Sequence, residues 1–107
     1  MTYRILLIQL GLKPPVDNAL KYVPMLAHEL NITRPTERAA VELLEQAQAK
    51  RALSGKDPRG LAAAALYLAA EIHAERVIQS EVSKAAETTE VTLRNRYRGL
   101  KKALGYV

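Results

Sequence analysis

Arg94, Arg96, Arg98, Lys101 and Lys102 lie close together near the C-terminus, and Glu90 is the only acid between Thr88 and Val107. That segment holds an excess of four positive charges out of the chain's formal net +5, so the residues before Thr88 are close to neutral. Positive charge confined to one segment is the electrostatic footprint of a nucleic-acid contact. The residue types around it suit base reading. A guanidinium such as that of Arg94 matches guanine O6 and N7 in a two-pronged contact, the Asn95 amide can pair with adenine, and Val91 can meet a thymine methyl. Arg96, Arg98, Lys101 and Lys102 suit phosphates, which add affinity but carry no sequence information. A plainer reading stands beside this one. Basic residues near a helix C-terminus also form an ordinary solvated face and complement the helix dipole.

Other chemistries find little support. The chain has no cysteine, which excludes disulfides, Cys-ligated zinc and thiol nucleophiles. Its two histidines, His28 and His73, are far apart and lack a metal-ligand spacing, so both are read as helix-end residues. Glu42 and Glu45 share a helix face, but no second acidic cluster accompanies them, and they are read as solvated. With no Gly-rich phosphate loop and no Ser/His/Asp arrangement, the chain is expected to be no enzyme and to need no cofactor and no metal. No run approaches the ~20 apolar residues that span a bilayer, so no membrane partner is expected. The short apolar stretch Tyr3–Ile8 lacks a signal-peptide cleavage site, and a cytoplasmic or nuclear setting is the default.

The elements that must position the basic segment are helical. Phe and Trp are absent, Ala and Leu dominate, and strand-like alternation is scarce. Thr2–Leu10 reads as a short helix stopped by Gly11 and Pro14-Pro15. A second helix is predicted from about Val16 to Leu30, with Leu20, Val23, Ala27 and Leu30 on its apolar face and Asn31 as terminator. Pro35-Thr36 opens a third, to about Leu53, with Ala40, Leu43, Leu44 and Ala47 on one face and Ser54-Gly55 as the stop. Asp57-Pro58 is a strong helix start, because Asp caps and Pro suits the first position. The body of that helix, Leu61–Ala70, is apolar all round, as expected of a post buried among other helices. Gly60 is read as allowing close packing, whereas Gly99 has no evident role. Two more helices are predicted, at about Gln79–Ala86 and Glu90–Leu104, the last N-capped by Thr89 and ended by Gly105. In this last helix Leu93, Tyr97, Leu100 and Leu104 form the core-facing stripe, and Val91, Arg94, Arg98, Lys101 and Lys102 cluster on another face. The fold class is therefore expected to be all-α, and the last two helices fit a C-terminal helix-turn-helix, whose last helix either reads DNA with its N-terminal residues or presents a solvated basic face. Glu87 occupies the turn position where glycine is frequent, and Thr88 the position where an apolar residue usually seals the turn.

Two stretches add a specific resemblance. Ser54–Tyr67 (SGKDPRGLAAAALY) resembles the third-helix segment of the second cyclin-like repeat in the archaeal transcription factor B family, homologues of TFIIB. Thr89–Tyr97 (TEVTLRNRY) resembles the recognition helix of that repeat. They occur in the family's order, and the resemblance runs over about residues 14–105. It implies a five-helix cyclin-like repeat at 14–107, with 1–13 as the tail and linker of a preceding repeat, and hence a fragment of a longer protein. It also implies a monomeric general initiation factor in the archaeal cytoplasm, associated with the nucleoid. Such a factor binds the B recognition element upstream of the TATA box on double-stranded promoter DNA. Its partners would be TATA-box-binding protein and RNA polymerase. By motif position Val91 and Arg94 would carry base contacts, and Gln79, Ser80, Thr89, Thr92 and Arg96 would touch backbone or flanking bases. Ile78 stands where the family commonly has a capping Thr, which predicts a poorly capped supporting helix. Two rival functions fit the residues as well: a cyclin-like protein adaptor that reads no DNA, and a dimeric helix-turn-helix regulator of another operator.

Overall fold

The computed structural model describes residues 15–50 and 57–106, and every regular element among them is helical. These are α1 (Pro15–Glu29), α2 (Arg34–Ala49), α3 (Pro58–Ile72), α4 (Gln79–Ala85) and α5 (Glu90–Leu104). The helix read at Thr2–Leu10, its Gly11 cap and the Ser54-Gly55 stop lie outside the described residues.

α3 is the post on which the rest is hung. Asp57 caps it, its carboxylate accepting the Gly60 N–H at 3.1 Å, and Pro58 sits in the first turn. From Gly60 to Ala70 every residue is buried except Tyr67, which is half-buried. The alanines let neighbouring backbones come close on all sides, and α3 touches each of the other four helices. α1 and α2 cover one part of it. α1 buries Ala19, Val23, Leu26 and Ala27, while Leu20 and Leu30, expected on the same stripe, are only half-buried. Pro24 lies inside α1 on its exposed side. A proline there removes a backbone bond and normally costs about 3 kcal/mol. The buried stripe on either side holds the helix through it.

α2 buries Ala40, Leu43, Leu44 and Ala47, as the spacing predicts. It ends at Ala49, short of the expected Leu53, with the Lys50 N–H shared between the Gln46 and Ala47 carbonyls. The reason is visible in the sequence: the next position on the apolar stripe is Lys50, whose charge keeps it exposed. Lys50 instead donates from Nζ to the Ala103 carbonyl at 3.1 Å.

Four helices end the same way, with one residue in the left-handed conformation at the C-cap or just after it. These residues are Asn31, Ala74, Glu87 and Gly105, with φ of 55°, 56°, 55° and 79°. In each case the following N–H reaches back to a carbonyl five residues earlier, as Ile32 to Ala27 at 2.8 Å and Thr88 to Ser83 at 2.9 Å. This satisfies carbonyls that a helix end leaves open. Asn31 and Gly105 are the terminators expected from sequence; Ala74 and Glu87 adopt the conformation without that advantage. His73 and His28 are exposed at helix ends, and Glu42 and Glu45 are exposed on α2.

Candidate nucleic-acid interface

α4 and α5 are the two helices expected to form the helix-turn-helix, and α3 touches both. Ile78, the N-cap of α4, makes no side-chain cap, in keeping with the missing Thr. Val82 and Ser83 fix the short helix to the core, and the Ser83 hydroxyl donates to the Ser80 carbonyl at 3.1 Å. The chain then reverses through Glu87, whose left-handed backbone explains why glycine is frequent at this place. The Glu87 carboxylate accepts from Arg59 of α3 at 2.6 Å, and the Arg59 guanidinium lies 5.4 Å from the centre of the Tyr22 ring. The acid in the turn is therefore paired within its own protein, at an exposed position. Thr89 begins α5, its hydroxyl oxygen accepting the Thr92 N–H at 3.1 Å.

The side chains of α5 divide by face. Leu93 and Leu100 are fully buried, with Tyr97 and Leu104 packed beside them. On the far side Val91, Asn95, Arg98 and Lys102 recur at i, i+4, i+7 and i+11, and all four are exposed. Val91 is 59% exposed, a position no core requirement explains. Thr92 and Arg96 are half-buried on one flank, over Gly60. A β-carbon on Gly60 would stand 3.4 Å from the Thr92 and Arg96 side chains, in contact with them without forcing α5 away. Thr89 and Ser80 are exposed at the starts of their helices.

Arg94 and Lys101 occupy the other flank, and each is tied to its own protein. Arg94 donates from Nη1 to Gln79 Oε1 at 3.4 Å, and Gln79 Nε2 donates to the Tyr67 hydroxyl at 3.2 Å. Lys101 lies 3.9 Å from the Glu71 carboxylate, 3.3 Å from the Tyr97 hydroxyl and 5.1 Å from the centre of its ring. The Tyr97 hydroxyl donates to Glu71. Burial first, and the Glu71 carboxylate second, push this phenol up to about 12, so it stays protonated. The structure thus gathers Val91, Asn95, Arg98 and Lys102 on one strip with Arg94 at its edge, and directs Lys101 toward Glu71. Tyr67, Glu71 and Arg59 were not singled out in the sequence, because nothing in their local spacing announces partners so far along the chain.

Among the described residues no group of His, Asp or Glu could hold a metal ion, and no helix is long and apolar enough to cross a membrane. The family model of the transcription factor TFIIB repeat matches residues 12–103.

The chain belongs to the TFIIB repeat family.

Its similarity extends to transcription initiation factor IIB of Pyrobaculum arsenaticum, 41% identical over 95% of this chain and 31% of that protein. The Pyrodictium occultum factor of the same name is 43% identical over 95% of the chain and 33% of that protein. That of Saccharolobus shibatae is 41% identical over the same shares. The chain spans about a third of the length of the curated relatives it matches. The resemblance drawn from Ser54–Tyr67 and Thr89–Tyr97 thus holds at the level of the family. The relatives are initiation factors by name, not enzymes. In this TFIIB repeat the five described helices are those of the expected all-α repeat.

Proposed function

We propose that this TFIIB repeat binds double-stranded promoter DNA through α4 and α5, at the B recognition element upstream of a TATA box. In the same reading it assembles with TATA-box-binding protein, helps recruit RNA polymerase, acts as a monomer and works at the archaeal nucleoid. Residues 14–107 then correspond to the second repeat of a longer factor, and 1–13 to the tail of the preceding one. The observation that carries the reading is the exposed strip Val91, Asn95, Arg98 and Lys102, with Arg94 at its edge, on a helix backed onto the core by Leu93 and Leu100. An apolar residue, an amide and guanidinium groups at the N-terminal part of such a helix can meet base edges in the major groove. Arg98, Lys102 and Arg96, with Thr89, Thr92, Gln79 and Ser80, are suited to backbone or flanking contacts.

The test is binding to a labelled duplex with a purine-rich element upstream of a TATA box, against a scrambled element, over a salt series. It is run with and without TATA-box-binding protein. Preference for the intact element, strengthened by the partner protein, supports the reading. Equal, salt-sensitive binding to both duplexes reduces it to a basic DNA-binding repeat of another target. No binding in any condition overturns DNA reading and favours a protein adaptor.

A further inference from the structure

Of Val91, Arg94 and Asn95, Arg94 is the one whose side chain is hydrogen-bonded to other described residues, and its bond leads inward. Gln79 Oε1 accepts from the Arg94 guanidinium at 3.4 Å. An amide can present either its oxygen or its nitrogen to a neighbour. Here Arg94, which can only donate, takes the oxygen, and Nε2 is left to donate to the Tyr67 hydroxyl at 3.2 Å, which anchors the amide to α3. Tyr67 belongs to the post helix α3, and its ring is held edge-on against Tyr97, with centroids 5.1 Å apart and planes at 77°. All three polar side chains are partly buried. An unrestrained arginine loses much rotamer freedom when it docks, and a side chain already held in place loses less. One guanidinium N–H given to Gln79 leaves four donors, enough for a two-pronged base contact.

We infer that Tyr67 and Gln79 form a relay that positions the Arg94 guanidinium for base reading. Tyr67, a residue of the post helix, is thereby a specificity-determining residue. The inference deepens the DNA-reading proposal and its specificity role rests on it; the relay itself does not. In this relay Gln79 acts through Arg94, in addition to the backbone or flanking contact proposed for it.

The test uses the whole chain in two measurements. In the absence of DNA, nitrogen-15 relaxation at Nε compares Arg94 with the exposed Arg98. Arg94 is expected to be the more ordered, and Tyr67→Phe, which keeps the ring packing, to lower the order of Arg94 alone. Tyr97→Phe, outside the relay, leaves it unchanged. On DNA, duplexes carrying single base-pair changes in the purine-rich element are compared with the intact one. Tyr67→Phe should reduce discrimination at one base pair by about threefold to tenfold, leave affinity for a scrambled duplex unchanged, and have no effect in an Arg94→Ala background. An Arg94 as mobile as Arg98 in the unsubstituted chain, or one indifferent to Tyr67→Phe, overturns the relay. Tyr67-dependent order with no discrimination among duplexes keeps the relay and overturns the DNA-reading role assigned to it.

Discussion

At the scale of the residue, neighbours decide what a charge is available for. Lys101 and Lys102 are adjacent and chemically identical, yet Lys102 is exposed while Lys101 leans over Tyr97 toward Glu71. On the DNA-reading proposal, Lys102→Ala should weaken binding to all duplexes alike and flatten the slope of log K against log salt by about 1. Lys101→Ala should flatten it clearly less, because Glu71 already screens that ammonium. Anisotropy titrations across salt measure both, and equal slopes would return Lys101 to the phosphate contacts. Arg94→Ala makes a different prediction: a loss of about 1–3 kcal/mol on the preferred element, concentrated at one base pair. Equal losses on every sequence would remove Arg94 from base reading. The candidate positions of these residues could be read from helix spacing. The partners of Arg94 and Lys101 could not, since Gln79, with Tyr67 behind it, and Glu71 belong to other helices.

At the scale of the element, capping and helix interior give two stability predictions of the same sign. Gly99 is exposed inside α5, and a β-carbon there would meet nothing within 4 Å. Gly99→Ala should stabilise the fold by about 0.5–1 kcal/mol by restricting the unfolded chain. Ala74 has the opposite problem. It sits at φ 56° after α3, where an L side chain is strained. Ala74→Gly should add about 0.5–1 kcal/mol, the relief of strain outweighing the greater entropy of glycine in the unfolded state. Denaturant unfolding checks each, and a loss of stability in either would mean that the native residue makes a packing contact its replacement cannot. Helix starts were plain in the sequence because Asp57, Thr89 and the prolines signal them by type. The left-handed endings at Ala74 and Glu87 were not, because neither residue prefers that conformation; only the helix packing imposes it.

At the scale of the whole molecule, Glu75 joins parts that the sequence keeps apart. Its carboxylate accepts the Thr36 hydroxyl at 2.6 Å, the Thr33 hydroxyl at 2.7 Å and the Thr33 N–H at 3.0 Å. It thereby fastens the loop after α3 to the N-terminus of α2, where a negative charge also suits the helix dipole. Thr33 makes no cap with its own side chain, so Glu75 serves that end from a distance. The Thr36 hydroxyl first, and Thr33 after it, hold the Glu75 carboxyl below the usual carboxylate range, against the opposing effect of burial. A carboxyl depressed in the folded state contributes stability above its unfolded value near 4.5, and that stability is lost as pH falls through the folded value. Unfolding followed from pH 7 down to pH 3 should therefore show an acid limb that Glu75→Gln flattens. The substitution should also lower stability at pH 7 by about 1–2 kcal/mol, since hydrogen bonds to a charge are replaced by weaker ones. An unchanged acid limb would show that Glu75 titrates alike in both states.

By itself the sequence determined that the elements among the described residues are helices, that Leu61–Ala70 is a buried post, and that the last helix has one apolar and one basic face. These features have local causes: residue type, the 3.6-residue period and capping chemistry act within a few turns of helix. Tertiary structure alone decided that Arg59 pairs with Glu87, that Glu71 draws Lys101 away from the exposed strip, and that Arg94 contacts Tyr67 through Gln79. Each of those depends on which faces of α3, α4 and α5 meet, and a side chain's partner across a helix interface leaves no periodic mark in either stretch of sequence that supplies it.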